Sequence, residues 1–305
     1  MLRPFRAGDE QAFYDMAQVF HNSDAVIHKT PLKHFQDTFQ AVIEGSPFVK
    51  GYLLEQDGKT AGYGLAFVTY SNEGGGLMYT WDEIYVDPAF RGHGLGTEFI
   101  THMEQITRES ASVFRLECED SNTRAVQLYK RLGYRPVHYR QLVKFIEDTP
   151  AQPGDITMVR PFAAYEEETF YRLAREYHAS GVMDREAPFS HFKNTFREVV
   201  KGSPYIQGYF ILNEGVPVGY ALVCPTYSNE AGGMLITLDE LFILPAFRGR
   251  GLGSGFMRYY ENRYAQGSAM YRVQVVNSDK RSIDYLTKKG YEYLEYFELL
   301  KPVEK

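Results

Sequence analysis

The sequence predicts a mixed α/β (α+β) domain present twice, and three observations carry that prediction. Most of the chain repeats itself at a constant offset of 157 residues. Each copy alternates stretches of helical and of strand periodicity in the same order. Each also places a glycine cluster between a strand and a helix. The repeat is direct: Arg3-Pro4-Phe5 recurs as Arg160-Pro161-Phe162, Tyr70-Ser71-Asn72-Glu73 as Tyr227-Ser228-Asn229-Glu230, and Phe90-Arg91-Gly92-His93-Gly94-Leu95-Gly96 as Phe247-Arg248-Gly249-Arg250-Gly251-Leu252-Gly253. A unit this long is a duplicated domain, since solenoid repeats run only about 20–50 residues. The expected boundaries are 1–147 and 156–305. The polar, proline-bearing segment 148–155 joins them as a linker.

The elements follow in order. Glu10–Phe20 spaces Phe13, Ala17 and Phe20 as a helix does, and Leu32–Ile43 does the same with Phe35, Phe39 and Val42. Lys50–Leu54 and Thr60–Thr69 read as strands around the turn Gln56-Asp57-Gly58. A Gly-rich turn, Asn72–Gly76, leads into a strand from Leu77 to Val86 that Pro88 closes, because proline cannot continue a ladder. A helix from about Gly96 to Glu109, a strand Val113–Cys118 and a helix Asn122–Leu132 stopped by Gly133 come next. A final strand, around His138–Ile146, is expected to complete the unit.

Composition narrows the class. The chain has 305 residues, 44% hydrophobic and 24% charged, which excludes disordered and collagen-like chains. No stretch approaches the roughly 20 apolar residues of a membrane span, and the N-terminus lacks an apolar signal core. A cytoplasmic location is the expectation. Two cysteines, Cys118 and Cys224, are too few for a disulfide framework and are expected to be buried small hydrophobes. A net charge of −6 argues against nucleic acid as a partner. His21 and His178, like His34 and His191, recur in both copies without metal-ligand spacing, so no metal is expected and they carry no assigned role.

The loop Arg91–Gly96 is an anion cradle by its chemistry: glycines bring backbone N–H groups close to a ligand, and the following helix N-terminus adds partial positive charge. A mononucleotide P-loop would need Gly-Lys-Ser/Thr, which is missing. A dinucleotide fingerprint would need Gly-x-Gly-x-x-Gly after the first strand of a βαβ unit, whereas the spacing here is Gly-x-Gly-x-Gly. The pyrophosphate loop of acetyl-CoA enzymes, Arg/Gln-x-x-Gly-x-Gly/Ala, fits as Arg91-x-x-Gly94-x-Gly96.

With the strand Asp82-Glu83-Ile84-Tyr85-Val86-Asp87-Pro88 and the helix Asn122-x-x-Ala125-x-x-Leu128-Tyr129-x-x-x-Gly133-Tyr134, that loop resembles the GNAT superfamily of N-acetyltransferases over most of both halves. The strand and loop look most like the diamine acetyltransferase branch. The resemblance implies two tandem acyl-CoA N-acyltransferase domains, each a mixed central sheet flanked by helices, with acetyl-CoA as cofactor. Its pantetheine arm would pair with Ile84, Tyr85 and Val86, and its pyrophosphate would lie over Arg91, Gly92, His93, Gly94, Leu95, Gly96 and Thr97, with Asn122 and Ala125 beside it. In the second copy the corresponding residues are Leu241, Phe242 and Ile243, then Arg248, Gly249, Arg250, Gly251, Leu252, Gly253 and Ser254.

Amine acetylation needs a neutral nucleophile, and an alkylamine of pKa ~10.4 is neutral to only about one part in a few thousand at pH 7. A carboxylate in the cleft can take the proton. Asp82 and Glu83 face opposite sides of a regular strand, so one should face the cleft, and a local bulge would change which. The resemblance implies Tyr129 as the acid for the departing thiolate. The second copy reads Tyr285-Leu286, so Leu286 stands in place of Tyr129 and Tyr285 comes about 100° of helix rotation early. The expected function is therefore acetyl transfer to a primary amine (a small amine, a peptide N-terminus or a lysine) by direct attack in a ternary complex, mainly in the N-terminal half. The alternative is a non-catalytic acetyl-CoA-binding protein. The halves are expected to pack as an intramolecular pseudo-dimer.

Overall fold

In the computed structural model the two halves build their elements in one order. The structure describes residues 1–23, 26, 29–119, 122–137, 139–146, 156–180, 187–294 and 296–303. The N-terminal half runs β1 (Leu2–Pro4), α1 (Glu10–His21), α2 (Leu32–Ile43), β2 (Val49–Gln56), β3 (Lys59–Ser71), β4 (Gly76–Val86), α3 (Leu95–Thr107), β5 (Ala111–Glu119), α4 (Thr123–Arg131), β6 (Arg135–Pro136) and β7 (Tyr139–Phe145). The C-terminal half runs β8 (Val159–Pro161), α5 (Glu167–Ala179), α6 (Phe189–Val200), β9 (Gln207–Asn213), β10 (Val216–Ser228), β11 (Gly233–Ile243), α7 (Leu252–Tyr264), β12 (Met270–Val276), α8 (Lys280–Lys288), β13 (Glu292–Leu294) and β14 (Tyr296–Pro302). The linker expected at 148–155 lies outside the described residues.

Helices cover both faces of each sheet, which is why β3 is buried almost throughout instead of alternating. On one face, Phe13 and Ala17 of α1 and Phe35 and Phe39 of α2 pack on Leu53, Tyr63, Leu65 and Phe67. On the other, Phe99, Ile100 and Met103 of α3 pack on Ala61, Ala66, Trp81 and Leu116. The repeated Gly-Tyr after α4 is a packing device in this half: the buried Trp81 indole donates to Tyr134 Oη at 2.8 Å, and that hydroxyl donates to Glu104 at 2.8 Å.

The closing strand departs from expectation. The first sheet has the order β1-β2-β3-β4-β5-β14-β6 and the second β13-β7-β12-β11-β10-β9-β8. The strand expected to finish the first unit, β7, pairs antiparallel with β12 of the second, and β14 pairs antiparallel with β5 of the first. Each sheet is thus assembled from both halves. Repeat-related strands carry matching side-chain patterns, so either sheet edge accepts either strand, and the exchange ties the halves together. The exchanged strands meet where Gln141 Nε2 of β7 donates to Glu298 Oε1 of β14. Around that contact lies a buried polar cluster: Arg115 donates to Thr80 at 3.0 Å and to Glu298 at 3.3 Å, and Arg272 donates to Thr237 at 3.0 Å and to Gln141 at 3.2 Å. Glu117 lies 3.3 Å from Arg115 and 3.6 Å from Arg272. The strands β3 and β10 also meet: Thr69 donates to the Pro225 carbonyl and Thr226 to that of Val68, both at 3.0 Å.

Candidate active site

Strand β4 pairs in parallel with β5 from Leu77 to Trp81 and no further, so the two strands part at Asp82. A bulge in the β3 ladder falls at the same point. Glu83 sits opposite Leu65 and Trp81 opposite Ala66, leaving Asp82 as the extra residue. A bulge re-aims a side chain and interrupts pairing. Here it opens a cavity of about 120 Å³, with Asp82, Glu117, Cys118, Glu119 and Tyr129 on its wall. The second half adds Glu230, Arg272 and Tyr296 to the same wall. Cys224 is buried as expected, whereas Cys118 is half-buried and lines this cavity.

The two strand carboxylates have opposite environments. Glu83 is buried and fully engaged: Tyr63 Oη donates to Oε2 at 2.7 Å, Asn229 Nδ2 donates to Oε1 at 2.8 Å, and His21 Nε2 lies 2.9 Å from Oε1. Burial alone would raise its pKa, but His21, Asn229 and Tyr63 outweigh that and hold it below the usual carboxylate range. His21, whose Nδ1 lies 2.8 Å from Thr30 Oγ1, is correspondingly raised: burial lowers it, and Glu83 more than compensates. No described side chain hydrogen-bonds Asp82. Burial, then the nearby Glu117 and Glu83 carboxylates, push it well above its ordinary value against the pull of Arg115.

Tyr129 and Asn122 reach the same cavity from α4. The Asn122 side chain caps the helix by accepting from the Ala125 N–H at 3.2 Å. Burial raises the Tyr129 phenol, keeping it protonated and able to donate. In the second half Leu286 is buried in the apolar core, and Tyr285 is half-buried on its flank. Asp239 is again the bulged residue of its strand. Burial, then Glu240 and Glu73, raise it to about 7.

The glycine loop fits a diphosphate. Gly92 and Gly94 adopt φ of +83° and +84°, and Gly94 caps α3 with no side chain covering the first N–H groups. A Cβ on Gly96 would meet only Ile84 at 3.8 Å, so nothing inside the chain demands glycine there. The space over the loop is open for a ligand to approach the backbone. The Arg91 guanidinium is pinned by donating Nε to the Val86 carbonyl at 2.9 Å, and Arg248 repeats this with Ile243 at 2.9 Å. Together with the edge of Asp82–Val86 that β5 leaves unpaired, these features suit the extended arm and phosphates of a coenzyme A thioester. The second half keeps the same arrangement, β11 parting from β12 after Leu238.

Sequence comparison decides the family. Residues 12–134 and 166–291 match the family described as Acetyltransferase (GNAT) family, which covers most of the chain. The chain belongs to the GNAT acetyltransferase family. It is similar to the thialysine N-epsilon-acetyltransferases of Sus scrofa, 41% identical over 75 residues, and of Mus musculus, 40% over 79 residues. These matches take in 24% and 26% of this chain and 44% and 46% of the relatives, so less than half the length of each relative is matched. Among solved structures, a GCN5-related N-acetyltransferase from Sphaerobacter thermophilus overlies 100% of this chain and 96% of its own at a TM-score of 0.53 and 21% identity. A glucosamine N-acetyltransferase region of a fungal multi-domain β-N-acetylglucosaminidase overlies 98% of this chain and 38% of its own at 0.54 and 14%. Both likenesses concern the fold. Two tandem GNAT domains account for the eight helices and two seven-stranded sheets described here.

Sequence reasoning named the strand carboxylates, the loops and Tyr129, and left the histidines and Asn229 without roles. In this GNAT chain His21 partners Glu83, and His34 Nδ1 lies 2.8 Å from the Glu230 carbonyl of the other half. Among the described residues no group of histidine, cysteine and carboxylate side chains could hold a metal, and no helix is long and apolar enough to cross a membrane. The repeat-matched histidines and asparagines were the available signal.

Proposed function

We propose that the protein is an acetyl-CoA-dependent N-acetyltransferase whose N-terminal half transfers acetyl to a small, positively charged primary amine, with both substrates bound together. When bound, acetyl-CoA supplies an acetyl group activated as a thioester. The loop Arg91–Thr97 would hold its phosphates, and the free edge of Asp82–Val86 would pair with its arm. A backbone N–H on that edge would stabilise the negative charge that develops on the carbonyl oxygen. Asp82 is the base: the amine binds protonated, gives its proton to the Asp82 carboxylate, and attacks as a neutral nucleophile. As the C–N bond forms and the C–S bond breaks, the Tyr129 hydroxyl would donate its proton to the departing sulfur, and the second proton of the amine nitrogen would leave through water and restore the phenol. The lining carboxylates Asp82, Glu83, Glu117, Glu119 and Glu230 outnumber the cations Arg115, Arg272 and His21, and this excess of acid favours a cationic acceptor, in keeping with relatives named for a lysine analogue. The chain supplies both halves of the pair, so no second copy is needed to complete the site.

The observation that carries the reading is the bulged Asp82, with no hydrogen bond from a described side chain, sharing one cavity with Tyr129. Leu286 favours a second, narrower reading for the C-terminal half, acetyl-CoA binding without turnover. Incubating the protein with acetyl-CoA and a panel of diamines, lysine analogues and peptide amines should give N-acetyl product matched one-to-one by free coenzyme A. An absence of product across the panel would leave only the binding role.

A further inference from the structure

We propose that Asn229, from the C-terminal half, is a positioning residue for the N-terminal site: its hydrogen bond to Glu83 holds the bulge that turns Asp82 into the cavity. The inference rests on the reading of Asp82 as the base. It starts from the hairpin tip between β10 and β11, which crosses the boundary between the halves and brings Thr226, Tyr227, Ser228 and Glu230 to the cavity wall. Asn229 is completely buried at that tip and donates to Glu83 at 2.8 Å, with its Nδ2 also 3.3 Å from His21 Nε2. Glu83 is the residue next to Asp82, so whatever fixes Glu83 against α1 fixes the side to which the bulge throws Asp82.

The tip is anchored for this purpose. His34 of α2 contacts the Glu230 carbonyl at 2.8 Å. Gly232 lies beneath the same ring at φ +66°, where a Cβ would come within 2.5 Å of it, so only glycine lets loop and helix approach this closely. The arrangement is reciprocal: Asn72 donates to Glu240 at 2.6 Å and accepts from Thr195 at 2.5 Å, and His191 holds the Glu73 carbonyl at 2.7 Å. An amide also suits the task chemically. A neutral donor fixes Glu83 without adding to the positive charge of His21 and Arg115 near Asp82, which would weaken it further as a base.

Asn229→Leu and Asn72→Leu remove the same amide donor to the strand glutamate of the other half from repeat-related, fully buried sites, so a purely structural role predicts that activity follows stability in both. The expected outcome is that both lose thermal stability, Asn72→Leu the more because Asn72 also accepts from Thr195. Only Asn229→Leu should lower kcat, by about tenfold or more, with the KM for acetyl-CoA nearly unchanged. Wild-type kcat in Asn229→Leu, or equal losses in the two variants, would overturn the proposal. Carbodiimide labelling of Asp82 with glycinamide, read by peptide mass spectrometry, needs no turnover. It should fall in Asn229→Leu and hold in Asn72→Leu, and unchanged labelling in Asn229→Leu overturns the proposal whatever the activity. Failure of the functional reading is visible separately, as an absence of acetylated product from the wild-type protein.

Discussion

The N- and C-terminal sites keep the same frame and differ along one wall. Both have a bulged aspartate, Asp82 or Asp239, beside a buried glutamate that bonds to the other half. Both have a strand that parts from its neighbour at the bulge, and a loop led by a pinned arginine. The wall opposite is where they diverge: Glu117, Cys118, Glu119 and Tyr129 are matched by Gln274, Val275, Val276 and Leu286. On the proposed reading, the features that suit a thioester of coenzyme A occur twice, whereas those that suit a cationic amine and a leaving thiolate occur once. The second copy retains structural work, because its hairpin and its exchanged strand β14 build part of the first site. Calorimetry should accordingly count two acetyl-CoA sites per chain, and a single site would break the comparison at its root.

The largest functional difference should come from the matched aspartates. Asp82→Asn removes the proposed base and should lower kcat/KM by about 10²–10⁴-fold at neutral pH. Asp239→Asn should leave it within about threefold, the scale of an ordinary substitution away from the reacting groups. Comparable losses from both would mean that both halves turn over. Tyr129→Phe keeps the ring and deletes only the hydroxyl. A loss of about 10²-fold, shared by kcat and kcat/KM with acetyl-CoA affinity intact, is expected, at the low end for acid catalysis because water can also protonate a thiolate. Tyr285→Phe, on the flank of the other core, should be silent in the same assay.

A smaller effect should appear in the pH profile. A base must be deprotonated to act, so kcat/KM should rise with pH through the Asp82 pKa, which lies well above its ordinary value. Glu117 is the neighbouring charge that raises it most. Glu117→Gln installs the residue the second half already carries at this place, removing a like charge and leaving Arg115 less neutralised. Both changes favour the Asp82 anion, so the acidic limb should move to lower pH. A limb that stays in place, or moves up, would separate Asp82 from the titrating base.

Much of this was legible in the sequence, and the part that was not has a physical reason. Periodicity located the first two helices because each buries one stripe: Phe13 and Ala17, or Phe35 and Phe39. The glycine loop was legible as an anion cradle because that chemistry depends on residue type and local spacing, and Tyr129 was named through the family resemblance. The exchange of β7 and β14 was not, since strand patterning states which faces are buried and is silent about which of two equivalent edges is met. Nor was the choice between Asp82 and Glu83, which turns on a one-residue bulge and on a partner, Asn229, some 146 positions away. Asn72 and Asn229 read locally as turn residues, and only their contacts across the halves reveal more.

The last expectation concerns stability alone and again sets one copy against the other. His21 is bonded to Glu83 and Thr30, whereas His178 stands 3.7 Å from Glu240 with neither ring nitrogen hydrogen-bonded to a described residue, and Ala187 takes the place of Thr30. Replacing either by phenylalanine preserves ring contacts such as those to Phe35 and Phe192, so the difference isolates the imidazole nitrogens. His21→Phe takes a partner from a buried carboxylate and should cost about 2–3 kcal/mol, and His178→Phe about 1 kcal/mol or less. The gap should depend on pH with a definite sign. Glu83 is depressed from 4.5 in the folded state, so its contribution is present above that value and fades as pH falls. His21 is raised from 6.5, so its contribution is complete below that value and fades as pH climbs through the folded pKa. The two variants should therefore differ most between the ordinary carboxylate range and 6.5, and the gap should narrow as pH climbs through the raised His21 pKa. Urea midpoints compared at constant slope test this, and a gap that is absent or widens with pH would show that the His21–Glu83 pair is not the charged contact its geometry describes.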